Sequence, residues 1–244
     1  MAFLKNKSNI SDRIELVKAN IASACARAGR SPENVSIVVV TKTASLEAVR
    51  EVIKLGFTDL GENRVLHLKQ LAEDINAHML DKNGDSMPTP VNWHMIGHLQ
   101  RKKVKKVLKM LSLIHSVDTL RLAEEINSVA EKFGITSEIL LQVNSSGEPQ
   151  KYGAPVGAVT HLAEQVATMD NIRIRGLMTM APLTKNKDVV RSCFVRAREL
   201  FEEVHKLGCA GKGFRHLSMG MSQDYEIAVE EGATLLRIGS AIFS

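Results

Sequence analysis

Aromatic residues are scarce in this chain, 4% of 244 residues, with a single Trp and two Tyr. Proteins that read single-stranded nucleic acid stack bases on aromatic rings, so that class has little support and no nucleic-acid partner is expected. Cysteine is equally thin. Cys25, Cys193 and Cys209 are an odd number with neither a disulfide framework nor a metal-ligand spacing, so no metal site is expected. Free thiols suit a reducing compartment, which makes the cytoplasm the expected location. Long apolar runs are missing as well. The N-terminal MAFLKNKSNISDR is too poor in apolar residues for a secretory signal, and no later run approaches the length of a membrane span. Charge of one sign is in only mild excess, at a formal +5, most of it in RKKVKKVLK from Arg101 to Lys109. That run reads as the solvated face of a helix, with a phosphorylated ligand or a docking protein as the alternative.

What the chain does have is 44% hydrophobic residues, enough at this length for one substantial core without a staple. A short β-branched or apolar run, a polar turn and a stretch of helical periodicity recur about eight times. The predicted strands lie at 35–43, 58–63, 92–97, 113–118, 137–144, 172–180, 215–220 and 235–243. The predicted helices lie at 11–28, 45–55, 64–78, 101–110, 119–133, 155–168, 188–207 and 222–231, with Asp118 and Ser222 as expected caps. Strands alternating with helices pair in parallel through right-handed crossovers, and eight such units in this length predict a closed (β/α)8 barrel with an extra N-terminal helix. A doubly wound open sheet competes, but no G-x-G-x-x-G follows the first strand. The segment from Asn76 to Pro90 reads as an insertion between two units, leaving residues 1–244 as one domain.

In such a barrel, chemistry collects at the C-terminal ends of the strands, and phosphate is commonly held after strands seven and eight. Ser218-Met219-Gly220 and Gly239-Ser240 stand there. Gly220 and Gly239 would let backbone approach an anion, Ser218 and Ser240 would add hydroxyls, and residues 221–224 would open a helix whose free N–H groups favour negative charge. The alternative is that these are ordinary turn residues. Lys42 distinguishes the two readings. It ends the first strand after the apolar stretch Ile37 to Val40, where partial burial would leave more of the amine in the neutral form that condenses with an aldehyde; the alternative is a lysine that snorkels to water. A phosphate cradle beside a reactive lysine suggests a phosphorylated aldehyde, and pyridoxal 5'-phosphate (PLP) is the commonest cofactor of that kind.

The motifs VVVTKT, GEN, WHMIGHLQ, HSVD, GLMTMAP and HLSMGMSQDYEIAVEEGATLLRIGSAIF occur in this order over residues 38–243. With them the chain resembles the PLP homeostasis protein family, the YggS or PROSC-like proteins. The resemblance implies a barrel similar to the N-terminal domain of alanine racemase, with PLP carried as an aldimine on Lys42. It also implies phosphate contacts at Ser218, Met219, Gly239 and Ser240, and Asn63 near the cofactor ring and hydroxyl. Two places depart from the family pattern, Leu66-His67 after GEN and Arg101-Lys102 after HLQ. They concern surface partners rather than the expected cofactor contacts.

Strand alternation places Arg237 opposite Leu236 and Ile238, hence toward the barrel interior. One partner, suggested by the similar racemase barrel, is the pyridine nitrogen, which a permanently charged donor would keep unprotonated and so a weaker electron sink. The other is a salt bridge to Asp59 or Glu62. Two functions follow. The first is a PLP carrier serving vitamin B6 and amino-acid homeostasis, a monomer that hands PLP to apo-enzymes. The second is an amino-acid racemase of low activity. Racemisation needs a proton donor on each face of the cofactor. Tyr152, after strand five, is the candidate second base, ahead of His94 in a buried strand; Tyr225 is expected on the helix after strand seven.

Overall fold

The computed structural model describes residues 9–77 and 90–244, so the segment expected to be irregular over 76–90 falls largely outside the described residues. Eight parallel strands close on themselves: β1 (Ser36–Val40), β2 (Asp59–Glu62), β3 (Asn92–Met95), β4 (Leu111–Val117), β5 (Ser137–Asn144), β7 (Ile172–Met178), β8 (His216–Met221) and β9 (Leu235–Ile238). A two-residue strand, β6 (Ala154–Pro155), pairs with the end of β5 outside the ring. The circle is sealed by β4 against β5 and by β9 against β1, where Val38 pairs with Arg237. The predicted barrel is what forms.

The helices are α1 (Ile10–Arg27), α2 (Leu46–Lys54), α3 (Val65–Ala77), α4 (Val104–Val107), α5 (Leu120–Phe133), α6 (Val159–Ala167), α7 (Lys187–Leu207), α8 (Tyr225–Glu230) and α9 (Ser240–Phe243). The longer helices bury apolar stripes in the layer around the barrel. Val39, Leu236, Ile238 and Met219 join that helix-side core, while Leu113, Leu140, Met178 and Leu235 form a smaller cluster of their own. Strand periodicity separates the two layers, and each fully buried aliphatic side chain contributes about 1.5–3 kcal/mol. Helix α1 packs on α8 and α9, where Arg13 donates to the Ile242 carbonyl at 3.1 Å and Asn20 to the Tyr225 hydroxyl at 2.9 Å.

Three details differ from the sequence reading. The eighth strand stops at Ile238, and its expected tail is the single turn α9. Helix α5 is capped by Thr119, whose hydroxyl accepts the Leu122 N–H, because Thr119 and not Asp118 occupies the last non-helical position. Helix α8 begins only at Tyr225, too late for Ser222 to cap it, and the Ser222 hydroxyl instead accepts the N–H groups of Gly239 and Ala241. The basic run from 101 to 109 is α4 flanked by two short 3₁₀ turns, with Val104 and Val107 buried and Arg101, Lys102, Lys105, Lys106 and Lys109 exposed. That is the solvated face expected.

Candidate functional site

At the C-terminal ends of the strands lies a cavity of about 710 Å³. Val38 and Val40 alternate with Val39, which faces the helices, so the inward series of β1 continues to Lys42 at the cavity wall. Lys42 is exposed rather than partly buried, because β1 ends at Val40 and Lys42 sits on the turn beyond it. Its amine stands in the open mouth, and its position rather than burial makes it available. Asn63 lines the same space from the turn after β2. Gly97 packs against it so tightly that a Cβ there would lie 2.4 Å from the Asn63 carbonyl oxygen.

Gly239 and Ser240 enter from the end of β9. The Gly239 and Ala241 N–H groups converge on one oxygen, the Ser222 hydroxyl, at 3.2 and 3.1 Å. Two backbone donors aimed at a single oxygen beside a cavity are an arrangement that suits an oxyanion. Ser222, which the sequence pattern marks only as a cap, lines the cavity too. Asp224 also faces the space and accepts the Met221 N–H at 2.6 Å; burial raises its carboxyl above the ordinary range.

Of the other residues expected at the phosphate, Ser218 and Met219 do not line the cavity. Ser218 points into the barrel below it and is committed to His115 and Arg237, at 3.0 and 2.6 Å. Met219, one residue on, faces outward into the helix-side core. Gly220 is buried as well, with φ of 91°, and its missing Cβ makes room for Ala228, which would sit 2.5 Å from such an atom. It serves the packing of α8 on β8, not an anion.

Arg237 reaches the cavity floor although it is only 3% exposed. Its two terminal nitrogens donate to the Ser218 hydroxyl at 2.6 Å and the Thr179 carbonyl at 2.8 Å. Burial pushes its pKa down to about 10, against a smaller opposing effect of Asp224. Neither acid proposed for it, Asp59 nor Glu62, is its partner. Asp59 bonds Asn92 and His94, while the buried Glu62 accepts from Thr41 at 2.5 Å and lies 2.9 Å from His67.

Tyr152 stands at the cavity rim, 57% exposed and stacked on His98 with ring centroids 4.3 Å apart. His94 does not face the cavity: it is 6% exposed inside the barrel, with both ring nitrogens engaged, so it is no candidate base. Tyr225 begins the helix after β8, as expected, and is buried against α1.

The chain matches the family model of the alanine racemase N-terminal domain over residues 14–244. It is 37% identical over 235 residues to the pyridoxal phosphate homeostasis protein of Aquifex aeolicus, covering 96% of this chain and 97% of that protein. The chain belongs to the pyridoxal phosphate homeostasis protein family. Another similar structure is that of PipY from Synechococcus elongatus PCC7942 with PLP bound, at a TM-score of 0.76 and 32% identity, covering 92% of this chain and all of PipY, 100%. Alanine racemase of Clostridium difficile 630 shares the fold, at a TM-score of 0.67 and 14% identity; the match covers 96% of this chain and 56% of the racemase. In this homeostasis-family chain the departures noted after GEN fall on α3, where Leu66 is 82% exposed and His67 reaches the buried Glu62.

Proposed function

We propose that this chain binds PLP in the cavity and carries it as an imine on Lys42, acting as a PLP carrier rather than as an enzyme. The observation that supports this best is the convergence of the Lys42 amine, the Arg237 guanidinium and the Gly239-Ser240 turn on one cavity. An aldehyde, a ring nitrogen and a phosphate are the three features of PLP those groups suit. Phosphate is assigned to Gly239 and Ser240 with the N–H pair now shared by Ser222, and the ring nitrogen to Arg237. Asn63 is assigned to the ring hydroxyl. Ser218 and Met219 are assigned no phosphate contact, since the Ser218 hydroxyl is committed to His115 and Arg237 and Met219 packs outward.

When bound, PLP supplies an electron sink, and a guanidinium that stays charged at neutral pH does not hand its nitrogen a proton. Racemisation also needs a second acid-base group, and Tyr152 is the cavity-lining residue that keeps this reading alive. The carrier is proposed to be a cytoplasmic monomer of one domain, with PLP-dependent apo-enzymes as recipients.

Purified protein given PLP and single L-amino acids is expected to show imine absorbance, with no enantiomer exchange above that of free PLP. Exchange that disappears in Tyr152→Phe would replace the carrier with a racemase. Gly97→Ala offers a local test of the Asn63 assignment. An added methyl forces the Asn63 backbone away, overpacking of this kind costs about 1–3 kcal/mol, and PLP affinity should fall roughly tenfold with the imine still formed. Unchanged affinity by equilibrium titration removes Asn63 from the site.

A further inference from the structure

A line of hydrogen bonds crosses the barrel interior from its base to the cavity floor. It starts at Asp59, the first residue of β2, whose side chain is 40% exposed at the N-terminal end of the strands. Asp59 Oδ1 lies 3.2 Å from His94 Nε2; His94 Nδ1 lies 2.9 Å from His115 Nε2; His115 Nδ1 lies 3.0 Å from Ser218 Oγ; and Ser218 Oγ accepts from Arg237 at 2.6 Å. We propose that Asp59, His94, His115 and Ser218 form a one-directional relay that positions Arg237 and extends the charge of Asp59 toward it. They are thus positioning residues for the cofactor ring, a clause that rests on the PLP reading above.

The direction follows from what each group can donate. Arginine has no acceptor, so Ser218 Oγ must accept from Arg237, and its own hydrogen is left to go to His115 Nδ1. Burial, reinforced by the positive charge of Arg237, holds His115 well below the ordinary histidine range and therefore neutral, with one N–H. That N–H is on Nε2 and is donated to His94 Nδ1. His94 in turn donates from Nε2 to Asp59, whose carboxyl is held below its ordinary range chiefly by this bond. The reversed chain is worse on two counts. It leaves the Ser218 hydrogen without an acceptor among the described residues. It also sets a bare His94 Nε2 against the Asp59 carboxylate, or else adds a second buried cation near Arg237.

Compensation of Arg237 is the relay's physical purpose. The guanidinium is buried, and its hydrogen-bond partners are a hydroxyl and a carbonyl, both neutral. Asp224, the carboxylate that acts on it through space, is itself committed to the Met221 N–H at 2.6 Å. Aligned dipoles ending on Asp59 supply negative potential by a second route, because hydrogen bonds in series polarise one another in a low dielectric.

The first arm of the test uses cofactor-free protein and long-range proton–nitrogen NMR at neutral pH. Both His94 and His115 are expected as the Nε2–H tautomer. In Ser218→Ala the His115 tautomer should become mixed, and Ser218→Thr should restore it. A protonated Nδ1 on either histidine in the wild type overturns the relay. The second arm titrates PLP into Asp59→Asn, a change of shape-matched residue at the far end of the barrel from the cavity. Affinity should fall roughly tenfold, as when an outer partner of a bound group is lost, and the imine absorption should shift. Wild-type affinity and spectrum in Asp59→Asn overturn the coupling to the site, whatever the melting temperature does. A wild type that binds no PLP sinks the PLP reading, and the tautomers still decide the relay.

Discussion

Borohydride reduction of the PLP-loaded protein is expected to fix one cofactor per chain, all of it on Lys42, and none in Lys42→Ala. Reduction traps only an imine, and Lys42 is the amine that continues the inward series of β1 into the cavity beside Gly239 and Arg237. Lys185 and Lys187 line the same cavity from its outer edge, so a label on either would move the linkage away from the Gly239-Ser240 turn. Lys42→Ala should keep weakened, reversible binding, roughly a hundredfold poorer, because charge-assisted hydrogen bonds worth about 1.5–3 kcal/mol each remain at Arg237 and the turn. Peptide mapping by mass spectrometry reads the label, and equilibrium dialysis reads the residual affinity. Loss of all affinity would mean that the turn and Arg237 contribute little.

Gly220→Ala is expected to lose roughly 2–5 kcal/mol of stability, read from the urea midpoint. Two causes add. A left-handed backbone costs a residue with a Cβ about 1–2 kcal/mol, and forcing a methyl into a filled core costs about 1–3 kcal/mol. At Gly220 φ is 91°, and the new atom would stand 2.5 Å from Ala228 Cβ and 3.1 Å from the Tyr225 Cα. Against a total stability of about 5–15 kcal/mol such a loss is large. A change of less than about 1 kcal/mol would show that α8 shifts freely on β8. The same variant separates two roles for this glycine: PLP affinity per folded molecule should be nearly unchanged, since Gly220 does not line the cavity.

Gly220 also shows where sequence reading reached its limit. A small-residue motif at the end of a barrel strand is ambiguous between closeness to a ligand and closeness to the chain's own helix, and only φ and the neighbouring Ala228 decide between them. Position was legible: strand periodicity placed Lys42, Arg237 and the Gly239-Ser240 turn correctly at one end of the barrel. Side-chain direction within a motif was less so. Ser218 and Met219 are consecutive, hence on opposite faces, and neither face of β8 at that height is the cavity. Applying the alternation used for Arg237 to Ser218 would have sent it into the interior beside that arginine.

Partners escaped more thoroughly than positions. His94 was legible as a hydrogen-bonded core residue, but nothing in one strand's pattern says that its partners are Asp59 and His115, since those contacts depend on register across three strands. Ser222 reads as a cap because it stands at the start of a helical pattern. Two further residues, Gln223 and Asp224, come before α8 starts, which frees that hydroxyl for the Gly239 and Ala241 amides.

The most direct measurement of the central claim is a crystal structure of the protein grown with PLP. The expected result is density continuous from Lys42 Nζ to the cofactor, the phosphate against Gly239 and Ser240, and the ring nitrogen facing Arg237. PLP bound elsewhere on the chain, or in this cavity with the phosphate at Arg237 and the aldehyde away from Lys42, would contradict it.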